Sequence, residues 1–365
     1  MNTSTPRVFI AATRQNDGKT TTSLGLIAAL QQFFPRIGYI KPVGQRFVEV
    51  AEHKIDEDTV LMDSVYQLNC PLVDMSPIAV EPDFTRKYLQ ASNNAALVKR
   101  IQDAFDRVAW EKEFVLCEGS GHAGVGSVFD LSNAQVAKHL GCKVIMVSQG
   151  GIGKPIDEVS LNQALFDKEG VEIIGVILNK VHGDKLEYVA DFARRGLKRK
   201  GLELLGVLPH RQILSNPTVE SIREELNAEV LNSPNNLHMP VEDVVVGAMG
   251  AQNALKFFKK GVLLITPGDR EDILLAACTS IEAESDQRLA GIVFTGGLRP
   301  PDDVLKVIRS LPIPVLLAQE DSYQVASAVH DLTVKTRPDD LEKISLIRDI
   351  VAQHVNVKRI VEALT

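Results

Sequence analysis

The sequence predicts an α/β protein: a doubly wound, mostly parallel sheet followed by a second, smaller α/β unit. Two observations carry this. Short, nearly unbroken apolar runs recur along the chain, as parallel strands covered on both faces require. Segments of helical periodicity separate them, which is the βαβ signature. The alternation runs through residues 8–209, breaks, and resumes over 261–318.

In chain order, the strands expected of the first unit are Val8–Ala12, Ile37–Lys41, Phe114–Glu118, Lys143–Ser148, Ile173–Asn179 and Leu204–Pro209. Helical patterns fall at Thr20–Phe34, Asn94–Trp110, Ser132–Leu140, Ile156–Lys168 and Lys185–Lys200. Ser215-Asn216-Pro217 marks a boundary, after which Val219–Ala228 reads as a short helix and Asn232–Pro240 as a loop. The second unit supplies strands at Gly261–Thr266, Leu289–Phe294 and Ile313–Ala318, with helical patterns at Ala248–Lys259, Glu271–Ser280 and Asp302–Ser310. Asp339–Thr365 reads as one or two packing helices. The expected domains are therefore 1–214, 215–335 and a helical segment, 336–365.

Composition narrows the function classes. Of 365 residues, 45% are hydrophobic and 24% charged, which is ordinary for a globular protein. A net charge of −7 without a long basic run argues against a nucleic-acid surface, which needs clustered Lys and Arg. The four cysteines have no CxxC spacing, so neither a zinc site nor a redox dithiol is expected. No signal peptide opens the chain, and no apolar stretch reaches the roughly 20 residues of a membrane helix. A cytoplasmic protein without membrane partners is the expectation.

The chemistry concentrates at the first strand–loop–helix. Thr13–Gly18 is a polar loop between a strand and the helix opened by Lys19-Thr20-Thr21. In that context Gly18-Lys19-Thr20 reads as a phosphate loop, and the first unit as a P-loop NTPase-type sheet. Backbone N–H groups of Thr13, Asn16, Asp17, Gly18 and Thr21 would cradle ATP. Lys19 would bridge the β- and γ-phosphates, and the Thr20 hydroxyl would ligate Mg²⁺. Thr13 stands where the strict pattern has Gly. A second Gly-rich stretch, Gly150-Gly151-Ile152-Gly153-Lys154-Pro155, carries Pro where a metal-binding hydroxyl should be and reads as a strand-to-helix turn.

Ala12-Thr13-x-x-x-x-Gly18-Lys19-Thr20 resembles the phosphate loop of dethiobiotin synthetase. The likeness continues in order. Lys41-Pro42-Val43 resembles the second-strand motif, Glu118-Gly119-Ser120-Gly121 the Glu-Gly-Ala-Gly motif, Gly175–Asn179 the base-side strand, and Leu205-Gly206-Val207-Leu208-Pro209 the closing Leu-Gly-x-x-Pro. Pro267-Gly268-Asp269-Arg270 with Thr295-Gly296-Gly297 resembles a DRTGG domain, so a DRTGG-like α/β unit is expected second. That pairing resembles the N-terminal part of long bacterial phosphate acetyltransferase. The chain stops at Thr365, before an acetyltransferase domain.

The resemblance implies residue roles. Glu118 and Asp58 would be magnesium carboxylates, with Asp56 and Glu57 as rivals of Asp58. Lys41, at the carboxyl edge of its strand, would contact the γ-phosphate or a carboxylated substrate. Asn179, with Lys180 nearby, would meet the adenine edge; the alternative is a strand-end turn residue. In the second unit Asp269, Arg270, Thr295 and Gly296 lie at strand ends where a small ligand could bind. The alternative there is an internal Asp–Arg pair pinning two loops.

Two functions follow. One is a regulatory, nucleotide-sensing protein that binds MgATP and, through its second unit, an unidentified small molecule or partner. The other is an ATP-dependent ligase that activates a carboxylate or carbamate by γ-phosphoryl transfer, with Lys19 and Lys41 as catalytic cations. Gly44-Gln45-Arg46 after Lys-Pro-Val, and Arg14-Gln15 in the loop, depart from dethiobiotin synthetase on the substrate side. By resemblance, a homodimer is expected.

Overall fold

A computed structural model describes residues 2–232, 236–283 and 289–364, with backbone alone for 281–283. Part of the expected 232–240 loop, residues 233–235, lies outside the described residues. The chain divides into two compact units, Met1–His210 with Thr336–Thr365, and Arg211–Lys335. The C-terminal helices, expected from the sequence as a separate piece, thus belong to the first unit.

The first unit opens with β1 (Arg7–Ala12), α1 (Lys19–Leu30) and β2 (Ile37–Ile40). An excursion follows: β3 (Val43–Gly44), a hairpin of β4 (Phe47–Val50) and β5 (His53–Asp56), α2 (Glu57–Tyr66), α3 (Leu72–Met75), β6 (Ile78–Ala79) and α4 (Phe84–Gln90). The alternation then resumes with α5 (Asn94–Val108), β7 (Phe114–Glu118), α6 (Asn133–His139), β8 (Lys143–Gln149), α7 (Gly153–Glu169), β9 (Ile173–Val181), α8 (Leu186–Lys198) and β10 (Leu204–Pro209). Six strands form one parallel sheet in the order β10-β9-β8-β1-β7-β2. Every residue of β1 is buried, as a central strand covered on both faces must be.

The second unit contains α9 (Gln212–Ser215), α10 (Val219–Glu225), β11 (Glu229–Val230), β12 (Asp243–Val246), α11 (Ala251–Ala254), β13 (Val262–Pro267), α12 (Glu271–Ala283), β14 (Gly291–Thr295), α13 (Asp302–Ser310), β15 (Val315–Leu317) and α14 (Ser322–Asp331). Its sheet runs β11-β15-β14-β13-β12, parallel except for β11. Alternate residues feed two cores. Leu264, Ile292 and Phe294 pack with Ile273, Leu305 and Ile308, while Leu263, Ile265 and Val293 pack with Val219, Ile222, Val325 and Val329. The helical pattern expected over Ala248–Lys259 shrinks to α11 and a 3-10 turn, Leu255–Phe257.

The chain ends in α15 (Leu341–His354) and α16 (Val357–Leu364), which return to the first unit. α15 lies on α1 at Gly25, where a β-carbon would stand 2.3 Å from Val351 Cγ2. Asn356 N–H then bonds the Leu205 carbonyl of β10 at 2.8 Å.

Candidate functional site

Because the first sheet is parallel, β2, β7, β1, β8 and β9 all end along one edge, and the loops leaving them meet there. Strand β7 lies between β1 and β2, so Glu118 at its end stands between the loop after β1 and Lys41 after β2.

The loop after β1 is closed by its own side chains. The Thr13 hydroxyl donates to Asp17 Oδ2 at 2.7 Å and contacts Ser148 Oγ at 2.9 Å, and Arg14 N–H donates to Asp17 Oδ2 at 2.7 Å. The Thr that replaces the usual Gly is therefore the partner of a buried acid. Burial raises the Asp17 pKa, against the hydrogen bonds from Thr13 and Arg14 and the nearby Lys19 charge. Asn16 at φ 65° and Gly18 at φ 95° turn the chain into α1.

The first turn of α1 brings Lys19, Thr20 and Thr21 to the edge. Lys19 Nζ donates to the Gly121 carbonyl at 3.0 Å. Burial lowers its pKa to about 8, with Glu118 pulling the other way. Thr20 Oγ1 donates to Glu118 Oε1 at 2.9 Å, and Tyr39 OH to Glu118 Oε2 at 3.2 Å. Asn133 fixes the segment after Glu118, accepting from Ser120 N–H at 3.1 Å and donating to the carbonyls of Ser120 and His122, both at 2.6 Å.

Lys41 is enclosed by acids. Its Nζ bonds Asp58 Oδ2 and lies 3.4 Å from Asp56 Oδ1 and 3.5 Å from Glu118 Oε1. All four residues are buried, none more than 6% exposed. Burial opposes the Lys41 charge, but Asp58, Glu118 and Asp56 outweigh it and raise the pKa. Asp56 caps α2, its Oδ1 accepting from Asp58 N–H at 3.0 Å, and so sets the position of Asp58. Of the three acids the sequence left open, Asp56 and Asp58 both face Lys41, in different roles.

These oxygens suit a hard divalent cation: the Thr20 hydroxyl, Asp58 and Glu118 gather at the start of α1. Among the described residues, no three His, Cys, Asp or Glu side chains form a ready metal site. The carboxylates converge on the Lys41 ammonium.

Asn179 and Lys180 face the loop itself. Asn179 Nδ2 donates to the Asp17 carbonyl at 2.9 Å, and Lys180 Nζ to the Asn16 carbonyl at 2.9 Å. The Asn179 amide, expected at an adenine edge, is here committed to the loop backbone.

In the second unit Arg270 forks onto Asp272 at 2.8 and 2.9 Å and donates to the carbonyls of Gly247 at 3.3 Å and Met249 at 2.9 Å. It ties the ends of β12 and β13 together, as an internal pin would, but its acid is Asp272; Asp269 is exposed. Thr295 Oγ1 is 2.7 Å from Ser322 Oγ, and Gly296 N–H donates to the Glu320 carbonyl at 2.6 Å. The two loops do meet: a β-carbon on Gly268 would lie 1.7 Å from the Leu298 carbonyl oxygen.

A family described as AAA domain matches residues 6–218. The chain belongs to that family. A DRTGG domain matches residues 221–332. Curated relatives include a phosphate acetyltransferase of Nitratidesulfovibrio vulgaris, 26% identical over 96% of this chain and 50% of its own length. Another, from Pseudomonas putida, is 29% identical over 95% of this chain and 50% of its own. The chain thus spans about half the length of the curated relatives it matches, and resembles their N-terminal P-loop and DRTGG region. Among solved structures, the MinC:MinD cell division complex of Aquifex aeolicus aligns with 57% of this chain and 83% of its own, at 14% identity and a TM-score of 0.37. No described helix is long and apolar enough to cross a membrane.

Tyr39, Ser148 and Asn133, and Glu158, which pairs with Arg14 at 2.5 Å, gave no sign in the sequence of belonging to this region. Tyr39 and Ser148 sit inside apolar strands, where one polar residue gives no pattern. Asn133 announces itself only as the second residue of a helix-start signal, and Glu158 as one acid on an amphipathic helix.

Proposed function

We propose that the first unit binds MgATP and acts as a nucleotide sensor. The observation that carries this reading is the convergence, at one sheet edge, of Lys19, Thr20, Lys41 and Glu118 from the ends of β1, β2 and β7, joined there by Asp58 from the start of α2. The N-terminal end of α1 supplies backbone donors and a positive dipole to phosphate oxygens. Lys19 would be the cation for the β- and γ-phosphates, Thr20, Asp58 and Glu118 would hold the metal, and Lys41 would meet the terminal phosphate. Bound magnesium would neutralise phosphate charge there.

Regulation fits better than ligation. Beside Lys41 this chain carries Gly44-Gln45-Arg46, and in the loop Arg14-Gln15, and both depart from dethiobiotin synthetase on the substrate side. The relatives' acetyltransferase activity supports a further step in the proposal, namely that the nucleotide state is reported to such an activity. Calorimetry with MgATP on the wild type and Lys19→Ala tests the core of it. Binding by the wild type and its loss in the variant are expected; equal binding by both, or none, overturns the reading. A phosphate-release assay across small carboxylates and amines separates the two functions, with stimulation by any of them favouring the ligase.

A further inference from the structure

We propose that Lys41 is a built-in stand-in for the divalent cation. Its ammonium lies among Asp56, Asp58 and Glu118 and takes the place of a cation that Asp58 and Glu118 would hold, so that metal is refused alone and accepted only in company with a polyphosphate. The inference rests on the nucleotide-binding reading above.

Three carboxylates meet in a region where each is nearly closed off from water, with side-chain exposures of 3% for Asp56, 8% for Asp58 and 0% for Glu118. Buried carboxylates this close demand a counter-charge. The chain supplies it from within: Lys41 Nζ bonds Asp58 and reaches Asp56 at 3.4 Å and Glu118 at 3.5 Å. Lys19, the other cation nearby, points elsewhere, to the Gly121 carbonyl. The three acids and two lysines leave one net negative charge. A divalent ion added beside a resident ammonium would reverse that sign and set like charges against each other in a dry site, which is strongly unfavourable.

Metal entry therefore requires Lys41 to let go of the carboxylates. Its backbone cannot follow, because the Lys41 N–H is bonded to the Met75 carbonyl at 2.8 Å. Only the side chain can swing, and it needs an anion to swing towards. A polyphosphate seated at Gly18-Lys19-Thr20 is that anion: Thr20 already touches Glu118, the acid that Lys41 shares. Asp58 and Glu118, once released, would hold the magnesium, and the Lys41 ammonium would exchange a carboxylate for a terminal phosphate. The cation site gains one positive charge in the exchange, which the polyphosphate beside it offsets. Asp56, held as the cap of α2, keeps Asp58 in position through the exchange.

The experiment is Mn²⁺ binding to the full chain without nucleotide, read from the electron paramagnetic resonance signal of free Mn²⁺. The wild type and Lys41→Arg, which keeps the cation, should leave submillimolar Mn²⁺ free. Lys41→Gln should bind about one Mn²⁺ at least ~10-fold more tightly than the wild type, because the acids lose their internal counter-ion. Adding Asp58→Asn to Lys41→Gln should remove that gain. Tight, stoichiometric Mn²⁺ binding by the nucleotide-free wild type overturns the proposal, whether or not Lys41→Gln folds. So does a folded Lys41→Gln with wild-type affinity. These titrations contain no nucleotide, so a failure of the wild type to bind MgATP in calorimetry would sink the nucleotide reading separately.

Discussion

The amide nitrogen of Asn179 lies 2.0 Å from where a β-carbon on Gly18 would stand, and the same nitrogen donates to the Asp17 carbonyl at 2.9 Å. The base-side strand thus closes onto the phosphate loop at a point where only glycine fits. Gly18 also sits at φ 95°, which costs a non-glycine residue about 1–2 kcal/mol. Gly18→Ala should therefore combine a steric and a conformational penalty and abolish MgATP binding. In urea unfolding the double variant Gly18→Ala with Asn179→Ala should recover the steric part and retain the roughly 1–2 kcal/mol of backbone strain. Simple additivity of the two single variants would refute this coupling.

Asp56 has two separable duties, as cap of α2 and as a carboxylate beside Lys41. Asp56→Asn keeps an oxygen for the Asp58 N–H and loses the charge. Asp56→Ala loses both and should be less stable than Asp56→Asn by about 1 kcal/mol, the ordinary value of an N-cap. Equal urea midpoints for the two variants would show that the cap contributes nothing.

The thiols differ in reach. Cys117 and Cys142 are buried with their sulfurs 3.7 Å apart, while Cys70 is partly exposed. Burial, helped by Asp74, pushes the Cys70 thiol from an ordinary value of 9.0 up to about 11. The thiolate is the nucleophile, so a raised pKa withholds it: at pH 8, Cys70 in the folded protein should alkylate about 100-fold more slowly than in urea. Its rate should climb about tenfold per pH unit until pH 11. The linkage has the matching sign, since stability from keeping this thiol neutral is full below pH 9 and lost as pH rises towards 11. A folded-state rate that levels off near pH 9 would contradict this.

Arg270 satisfies the Gly247 and Met249 carbonyls as well as Asp272. Arg270→Ala should free residues 247–249 from β13 at a cost of about 1–3 kcal/mol, visible as faster amide exchange in that segment. Arg270→Lys should rescue little, because one ammonium cannot reproduce the fork. Unchanged exchange in Arg270→Ala would remove the pin from the account.

The alternation of apolar runs located β1, β2, β7, β8, β9 and β10 to within a residue or two, because buried parallel strands leave unbroken hydrophobic stretches. The hairpin of β4 and β5 was invisible for a specific reason. Its turn, Ala51-Glu52, has φ of 47° and 66°, yet carries neither Asn nor Gly, the residues that normally announce such a turn. β12 was missed because it is a four-residue edge strand, half exposed along its length. At the site, Lys19, Thr20, Lys41 and Glu118 were legible because each follows or ends a recognisable strand, whereas Asp58 was reached through the family resemblance alone. The enclosure of Lys41 was not legible, since it depends on Asp56 and Asp58 arriving from an excursion whose path has no sequence period. The partner of Arg270 differs by three positions for another reason: adjacency in sequence favoured Asp269, and the first turn of α12 presents Asp272.

The packing of α15 on α1 has a consequence for how the protein is made. Gly25 and Val351 touch, yet 325 intervening residues, including all of Arg211–Lys335, must leave the ribosome between them. Until then the face of α1 around Gly25 has no cover, although the strands that flank it are already synthesised. The nascent first unit should bind hydrophobic-surface chaperones until residue 351 emerges, whereas Arg211–Lys335, continuous in sequence, can complete its core earlier. The phosphate loop at the head of α1 would then be among the first segments translated and among the last to be set.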